Sequence, residues 1–389
     1  MRLKKVIIFI PSIEAGGVER NAIWVANEMA ARGLRVDVLY IRAAEDQLQK
    51  FSAPVSLIQF PCARYPFLNR RIVDAIKMRH AFNQYLKNQA ADSTVVLSFQ
   101  SSIAAIGICR KNNIRIICRL SNHPIAAKYE KNLIRKISEW LKPHFYKKAD
   151  LVIANSERLA LDFAGKIHKK VETIYNPIDF NRVEKLKSKA IEPELQSEVQ
   201  QYAGKLFVSV GRLAVQKDYM TLVKGVACCK YKEQIKLWII GEGSERKHLE
   251  NLILSEKLQN NIRLLGYKSN VYAYMAQADL YIQTSLYEGC PNALIEASAT
   301  GLPAIATDCL SGPSEVLIEG AGGKLIPIGD ASMLGKALDE YIENPEKYKE
   351  MQRKTHTGLN RFESIKCMEK YIDIMNQTLI LESKAGKTV

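Results

Sequence analysis

The sequence predicts an α/β protein built from two doubly wound, mostly parallel sheets. Two observations lead to this prediction. Short apolar strands alternate with helical stretches in both halves of the chain, and 389 residues are more than one hydrophobic core usually organises. Apolar residues make up 47% of the chain, which gives each half enough of them for a core of its own.

The first half begins with the apolar strand Val6–Ile10 and a glycine loop. A helix from about Glu19 to Arg32 follows, and Gly33 ends it. The apolar run at the N-terminus stops at Pro11, so we interpret it as a buried strand and not as a signal peptide. Five further strands continue the alternation: Val36–Ile41, Val55–Phe60, Val95–Phe99, Arg115–Leu120 and Leu151–Ala154.

Residues 181–204 are polar and charge-rich, and we expect them to link the halves. Five more apolar strands follow: Leu206–Val210, Leu237–Ile240, Ile262–Leu265, Leu280–Gln283 and Ala304–Ala306. The sequence therefore predicts two Rossmann-like domains, residues 1–180 and 181–364, that face each other across a cleft. A C-terminal helix at about 365–384 is expected to pack back on the first domain.

The net charge of +15 is unevenly distributed. Residues 1–180 hold 29 Lys and Arg against 15 Asp and Glu, whereas residues 181–389 hold 27 against 26. The first half therefore has nearly all of the positive excess, which indicates a negatively charged partner such as anionic lipid, a phosphorylated substrate or nucleic acid. The eight cysteines form no C-x-x-C pair, so a reduced cytoplasmic chain is expected.

A glycine pair follows the first predicted strand. Gly16 and Gly17 let the backbone approach a ligand closely, with a helix N-terminus behind them. The pair is not a G-x-G-x-x-G dinucleotide fingerprint. A simple tight turn is the alternative interpretation.

Two cations follow the first strand of the second half. Arg212 and Lys217 are five residues apart and could converge on a diphosphate, the guanidinium as a planar fork and the ammonium as a point charge. The alternative is that both are solvated surface cations, which is the commoner environment of Lys and Arg.

The most informative segment is Glu288-Gly-Cys-Pro-Asn-Ala-Leu-Ile-Glu296. It follows a predicted strand, so both carboxylates lie at the strand's carboxyl end, where open α/β sheets bind ligands. Gly289 and Cys290 offer backbone N–H groups next to a helix N-terminus, a favourable position for an anionic ligand. Asn292 is a further candidate in this loop. Two carboxylates with donors between them suit a sugar nucleotide.

This segment resembles the signature of retaining glycosyltransferases of family 4, which have the GT-B fold. The resemblance extends from Gly16 to about Ile326 and is strongest from Val210 to Val316. It implies that Arg212 and Lys217 stabilise the leaving nucleotide diphosphate. It also implies the remaining roles in the second half: Glu288 contacts the transferred sugar, Glu296 holds the ribose hydroxyls, and Leu265-Gly-Tyr267 reads the base.

The resemblance also assigns residues in the first half. Its glycine loop, Gly16 and Gly17, would face the donor diphosphate and sugar. The segment Arg119-Leu-Ser-Asn-His123 matches a region where the family often has a histidine, commonly followed by an acidic residue; here Pro124 follows. His123 is therefore a candidate catalytic residue and Arg119 a candidate substrate-binding residue, with an ordinary strand-end loop as the alternative.

The segment Lys131–Lys148 mixes apolar and basic residues at helical spacing. Membrane-surface helices have this pattern, and so do core helices with a solvated basic face, which is the safer interpretation of the apolar stripe. With the basic excess of the first half, the basic face favours a peripheral position at the inner face of the cell membrane. The longest apolar runs are too short to span a bilayer.

We therefore expect a retaining hexosyltransferase that uses a nucleotide sugar, UDP-hexose or UDP-N-acetylhexosamine by family frequency. The expected acceptor is a lipid-linked saccharide in lipopolysaccharide, capsule or related glycan assembly. No cofactor is expected, and no metal, since the sequence has no D-x-D motif. The alternatives are a GT-B epimerase, an inverting transferase, or a nucleic-acid binder, whose aromatic-studded basic motifs are missing.

Overall fold

A computed structural model describes residues 3–14, 16–60, 70–100, 102–123 and 133–380; for residues 70–77 and 133–135 it describes the backbone only. The chain divides into two compact units. The first unit consists of the described parts of Met1–Asn176 and Ile365–Val389, and the second unit is Pro177–Ser364.

The first unit is organised around a seven-stranded parallel sheet with the strand order β5-β3-β1-β6-β7-β8-β9. A two-stranded ribbon pairs β2 with β4. The strands are β1 Lys5–Phe9, β2 Ser12–Ile13, β3 Arg35–Tyr40, β4 Arg42–Ala43, β5 Val55–Gln59, β6 Thr94–Ser98, β7 Arg115–Leu120, β8 Leu151–Ala154 and β9 Val171–Thr173. The helices are α1 Gly17–Ala31, α2 Glu45–Leu48, α3 Arg70–Lys87, α4 Ser102–Lys111, α5 Leu133–Tyr146 and α6 Glu157–Ile167.

The second unit has a six-stranded parallel sheet with the order β12-β11-β10-β13-β14-β15. The strands are β10 Lys205–Val210, β11 Ile235–Ile240, β12 Ile262–Gly266, β13 Leu280–Gln283, β14 Ala304–Thr307 and β15 Lys324–Ile326. The helices are α7 Phe180–Lys187, α8 Pro193–Gln201, α9 Tyr219–Cys228, α10 Arg246–Ser255, α11 Val271–Met275, α12 Asn292–Thr300, α13 Pro313–Val316, α14 Ala331–Glu343 and α15 Pro345–Gly358.

Each sheet is buried by apolar side chains from its strands and covering helices. In the first unit the rings of Phe9 and Phe82 stack with centroids 4.8 Å apart, joining β1 to α3. In the second unit Phe207 of β10 meets the ring of Tyr341 of α14 edge to face at 5.5 Å. Strands flanked by helices on both faces read as continuous apolar runs, and this confirms the predicted α/β class.

The region expected to be a link, residues 181–204, instead contains most of α7 and all of α8. Buried Val183 and Leu195 fix these two helices to the second unit, which the polar composition of the segment concealed. The last described helix, α16 Ser364–Ile380, packs with the first unit, as the sequence predicted for a C-terminal helix. Its Asn376 Oδ1 accepts a hydrogen bond from the Leu3 backbone at 3.1 Å. Residues 381–384 lie outside the described range.

Every helix in the described ranges is too short or too polar to span a lipid bilayer.

Candidate active site

The order of strands in the second unit defines a ligand-binding edge. Counting outward, β10, β11 and β12 run to one side, and β13, β14 and β15 run to the other, so the order reverses between β10 and β13. Loops that follow two strands at such a switch point diverge and leave a crevice at the carboxyl edge. The loop after β10 contains Arg212 and Lys217, and the loop after β13 contains Glu288.

The two loops meet through an ion pair. Lys217 Nζ lies 2.5 Å from Glu288 Oε1, and Ser285 Oγ donates to the same oxygen at 2.7 Å. The side chain of Glu288 is 7% exposed and that of Lys217 is 20% exposed. A buried carboxylate needs such partners, because desolvation without them is costly. The structure thus brings together two residues that the sequence predicted for one site.

Backbone contacts also fix the cation loop to the carboxylate loop. Thr284 Oγ1 donates to the carbonyl of Lys217 at 3.1 Å and to that of Asp218 at 2.9 Å. The Leu286 N–H donates to the Gln216 carbonyl at 2.8 Å, and Gln216 Nε2 donates to a carbonyl of the facing loop at 2.9 Å. Lys217 is therefore held at its main chain as well as at its ammonium.

The segment that follows β14, which contains Ser311 and Gly312, supports the Gly289–Cys290 loop. Ser311 Oγ donates to the Glu288 carbonyl at 2.7 Å. Gly312 has a φ of +94°, and a Cβ there would lie 2.5 Å from Pro291 Cδ and 2.9 Å from the Gly289 carbonyl oxygen. Only glycine fits without displacing the loop, so Gly312 sets the position of the backbone between the two glutamates.

Glu296 lies in α12 and is 6% exposed. The hydroxyl of Tyr272 in α11 donates to Glu296 Oε1 at 3.3 Å. The sequence analysis did not identify Tyr272, since nothing in the local pattern of its short helix links it to a residue 24 positions away. The carboxylate of Glu296, which the sequence assigned to this edge of the sheet, is therefore buried and has a hydrogen-bond partner.

The remaining candidates of the second unit are more open. The guanidinium of Arg212 is exposed and has no hydrogen bond or ion pair to any residue in the described ranges. Asn292 is the first residue of α12 and is half-buried. Tyr267 is 65% exposed and follows Gly266, whose φ is +73°.

Tyr267 lines a groove of about 530 Å³ in the second unit, beside Glu192 and Tyr274. Lys268 Nζ and the Tyr274 hydroxyl each lie 2.5 Å from a Glu192 carboxylate oxygen. These two hydrogen bonds, that of Lys268 first, lower the pKa of Glu192 from 4.5 to about 2. The groove wall next to Tyr267 is therefore ordered by an ionised carboxylate.

Burial raises the pKa of the Tyr281 hydroxyl well above its usual range, and the charges of Tyr219, Glu288 and Glu296 add to the effect. Burial and then the Glu288 charge likewise raise the pKa of the Cys309 thiol. Both groups stay neutral at physiological pH. In the part of the chain that the structure describes, no three His, Cys, Asp or Glu side chains are grouped as metal ligands.

The first unit has a switch point of its own, between β1 and β6. Gly16 is the N-cap of α1, and both it and Gly17 are exposed. A Cβ on Gly16 would lie 2.2 Å from the Glu19 carboxylate, so a larger residue there would require the Glu19 side chain to move. Gln100, just beyond β6, donates from Nε2 to Glu19 Oε1 at 2.8 Å, so loops from both strands meet here as well.

His123 is 6% exposed, and its Nε2 lies 3.0 Å from Asp162 Oδ2 of α6. The acidic partner of His123 thus comes from a helix 39 residues away in the sequence. Pro124, which follows His123, lies outside the described residues. Asp162 was not identified from the sequence, because no local pattern connects it with His123.

Arg119 is 2% exposed, and its guanidinium lies inside the first unit. It donates from Nε to the Tyr371 hydroxyl at 2.7 Å, from Nη1 to Ser121 Oγ at 3.0 Å and from Nη2 to Asn176 Oδ1 at 2.7 Å. Asn21 Nδ2 donates to the same Asn176 oxygen at 2.8 Å. Direct substrate contact by Arg119 stays a prediction, and its surroundings suit a residue that positions others.

Two doubly wound parallel units, each with polar side chains at its switch point, define a class of α/β enzymes with two nucleotide-binding-type domains, the GT-B class. Residues 15–182 match the family profile "Glycosyltransferase Family 4", and residues 191–357 match the profile "Glycosyl transferases group 1". This chain belongs to the GT-B glycosyltransferases.

One similar protein is N-acetylgalactosamine-N,N'-diacetylbacillosaminyl-diphospho-undecaprenol 4-alpha-N-acetylgalactosaminyltransferase of Campylobacter jejuni, 28% identical over 94% of this chain and 97% of that protein. Two solved structures share the fold. Sucrose-phosphate synthase of Thermosynechococcus elongatus has a TM-score of 0.82 at 16% identity over 97% of this chain and all of that one. Anabaena HepE in complex with UDP has a TM-score of 0.77 at 18% identity over 96% and 100%.

Proposed function

We propose that this glycosyltransferase moves a hexosyl or N-acetylhexosaminyl group from a UDP-sugar to a lipid-linked saccharide, with retention of anomeric configuration. The product would enter a surface polysaccharide or a related glycan. The observation that supports this most directly is the Lys217–Glu288 ion pair at the switch point of the second sheet, with the Glu296 carboxylate in the helix that follows.

This arrangement suits a donor that has hydroxyls at both ends and a diphosphate in the middle. Arg212 and Lys217 would neutralise the charge that grows on the diphosphate as the glycosidic bond breaks, which is the main electrostatic demand of the reaction. Glu296, oriented by Tyr272, would accept hydrogen bonds from the ribose hydroxyls. Gly289, Cys290 and Asn292 would contribute donors from the loop and the start of α12.

Glu288 would contact the transferred sugar. Before the donor binds, Glu288 Oε1 accepts hydrogen bonds from Lys217 and Ser285. The second carboxylate oxygen, Oε2, is not used by these two residues. Binding of a diphosphate near Lys217 would weaken the hold of that ammonium on Glu288 and release the carboxylate for sugar hydroxyls. The Lys217–Glu288 ion pair would therefore make the Glu288 carboxylate available to the sugar only when the donor diphosphate is bound.

Retention would follow a front-face course. The bond from the anomeric carbon to the diphosphate oxygen breaks, and the acceptor oxygen bonds to the same face. The acceptor's proton passes to the leaving diphosphate oxygen, so no separate base is required. Arg212 and Lys217 stabilise the product, a nucleoside diphosphate. In the first unit, Gly16, Gly17 and His123 would line the sugar and phosphates.

Charge and exposure in the first unit support a lipid-linked acceptor. On α5, Trp140 is 79% exposed and Ile137 is 48% exposed, so these two residues of the apolar stripe lie outside the core. The side chains of Leu133 and Ile134 and residues 131–132 lie outside the described part. Exposed apolar and basic residues on one helix are typical of membrane-surface segments. The similar Campylobacter enzyme is named for a diphospho-undecaprenol substrate.

A screen of nucleotide sugars tests the donor, with nucleotide release as the readout in the presence of a membrane extract or a synthetic lipid-diphosphate saccharide. We expect release with a UDP-sugar, dependent on acceptor, and loss of release in Lys217→Ala. Release without a transferred sugar in the product, or conversion of the donor to its epimer, would contradict the assignment. NMR of the purified product then distinguishes retention from inversion through the coupling at the anomeric proton.

A further inference from the structure

The buried cation of the first unit has unusual surroundings. Each group that Arg119 contacts is neutral: the Tyr371 hydroxyl, the Ser121 hydroxyl, the Asn176 amide oxygen and the ring of Phe99, whose centroid lies 5.4 Å from the guanidinium carbon. No carboxylate in the described ranges pairs with it. A desolvated charge without a counter-charge is expensive, so its presence calls for an explanation.

The inventory of donors strengthens the point. A guanidinium has five N–H groups, and hydrogen bonds to the described residues account for three of those of Arg119. Two remain, on Nη1 and Nη2. Arg119 is nearly inaccessible to solvent at 2% exposure. Its charge must therefore act through the groups it holds, and the most exposed of these is Ser121.

Ser121 lies just beyond the carboxyl end of β7 and is half-buried. Its Oγ accepts from Arg119 Nη1 at 3.0 Å, and its carbonyl accepts from Asn155 Nδ2 at 3.1 Å. Because the Ser121 oxygen already accepts a hydrogen bond from Arg119, its hydroxyl proton can be donated to another group. An O–H that accepts from a cation is also polarised by it and becomes a better donor.

A second feature points to the same spot. Asn155 and Ser156 lead from β8 into α6, an eleven-residue helix. Ser156 is the N-cap, yet its Oγ caps no N–H group and has no partner among the described residues, although it is fully buried. The segment whose Asn155 bonds to the Ser121 carbonyl therefore places a second polar group, the Ser156 hydroxyl, close to Ser121.

The charged groups around this edge are mixed. In the first turn of α6, Glu157 and Arg158 are both exposed and of opposite charge, and further along Asp162 is bonded to His123. The charged group that is bonded to Ser121 is Arg119. The positive charge that acts on the Ser121 hydroxyl through this bond favours a negatively charged ligand.

We propose that the Ser121 hydroxyl is a hydrogen-bond donor to a diphosphate, with Arg119 as the positioning and electrostatic residue behind it. This rests on the proposed function, because a sugar transfer from a nucleotide to a lipid-linked saccharide brings two diphosphates to the enzyme. One is on the nucleotide and the other is on the acceptor lipid, and the test below separates them.

The experiment measures inorganic pyrophosphate binding to the full-length protein by calorimetry, with the second-unit site first saturated with UDP. The variants are Ser121→Ala, which lacks the donor, and Ser121→Thr, which keeps it. Ser56→Ala, an exposed serine on β5 of the same sheet, is the matched control. A lost hydrogen bond to a charged group corresponds to roughly a tenfold or larger loss of affinity.

If the acceptor diphosphate is the ligand, Ser121→Ala weakens pyrophosphate about tenfold in the presence of UDP, while Ser121→Thr and Ser56→Ala bind like wild type. If the nucleotide diphosphate is the ligand, Ser121→Ala instead weakens UDP itself. Unchanged affinities for both ligands in a folded Ser121→Ala protein overturn the proposal. Should that variant fail to fold, Ser121→Cys repeats the test with a similar volume and a weak donor.

This outcome is separate from that of the proposed function. Sugar transfer by a wild-type enzyme whose Ser121→Ala variant binds both ligands normally would leave the function intact and remove only the subsite. Pyrophosphate binding that depends on Ser121, in a protein that transfers no sugar from any nucleotide donor, would support the subsite and contradict the proposed function.

Discussion

The two units place the buried charges at the carboxyl edges of their sheets in opposite ways. In the second unit Lys217 is neutralised by Glu288, and Ser285 shares the same carboxylate oxygen. In the first unit Arg119 is more deeply buried than Lys217, yet its partners are all neutral. Both regions lie at carboxyl edges of parallel strands, so the difference is one of charge pairing and not of architecture.

The contrast shows two ways to prepare for an anion. A paired cation is held in place before the ligand arrives, and its counter-ion is available for another task once the ligand takes over. An unpaired cation contributes a standing positive potential but is costly to bury. Each of the following predictions tests one side of this contrast.

The largest effect is expected from the cations of the second unit. Lys217→Ala and Arg212→Ala should each reduce kcat by about 100-fold or more, since each removes a preorganised charge contact to the leaving group. Turnover with an accepted nucleotide sugar is the measurement, with circular dichroism to check the fold. Lys247→Ala, an exposed lysine of α10, is the control. Near-normal kcat in both site variants would remove these residues from the mechanism.

Charge reversal in the first unit tests its excess of positive charge. Each Lys near an anionic surface contributes about 1 kcal/mol, so Lys147→Glu with Lys148→Glu should weaken binding to anionic vesicles by roughly 30-fold. Added salt should weaken the wild type similarly. The matched control reverses exposed Lys247 and Lys257 of the second unit, with little effect expected. Flotation that is indifferent to lipid charge and salt would argue against electrostatic docking.

The two glutamates of the second unit should separate binding from transfer. Glu296→Ala is expected to weaken UDP about tenfold, because a carboxylate on the ribose hydroxyls acts in ground state and transition state alike. Glu288→Ala should leave UDP affinity nearly unchanged and lower kcat. Calorimetry with UDP and steady-state kinetics measure the two effects. Equal UDP affinity in wild type and Glu296→Ala would exclude the ribose role.

The smallest effect concerns the groove beside Tyr267. Because the pKa of Glu192 falls from 4.5 to about 2 on folding, its ionised form stabilises the protein above pH 4.5, and this contribution is lost as the pH falls toward 2. Glu192→Gln should therefore be less stable than wild type above pH 4.5, with a gap that narrows toward pH 2. Chemical denaturation over that range measures the gap, and a constant difference would contradict the assigned ion pair.

The sequence predicted contacts that depend on strand order. Lys217 and Glu288 are 71 residues apart, but each follows a strand, and a doubly wound order makes those strands neighbours. It did not predict contacts made by helix faces, such as Asp162 with His123 or Tyr371 with Arg119. Helical periodicity gives the apolar side of a helix but not which polar group on it meets a partner 39 or 252 residues away.

Exposure was the other limit. The apolar spacing of α5 is the same whether its stripe faces a core or the surroundings, and only the structure shows that Trp140 is exposed. The polar segment at residues 181–204 was predicted to be a link, but it forms helices of the second unit. A few buried apolar side chains are enough to anchor these two helices. Both cases depend on what neighbouring elements provide, and the local sequence does not contain that information.

The helix α16 has a consequence for synthesis of the protein. The first unit combines an N-terminal stretch with α16, and the partner of Arg119 on α16 lies 252 residues downstream. On a ribosome the second unit, a continuous stretch, can complete its core before the first unit can close its own. Part of the apolar surface of the N-terminal sheet stays uncovered until α16 has been synthesised. Synthesis of α16 would therefore be the step that completes the first unit, and truncations that remove α16 should leave nascent chains that chaperones retain.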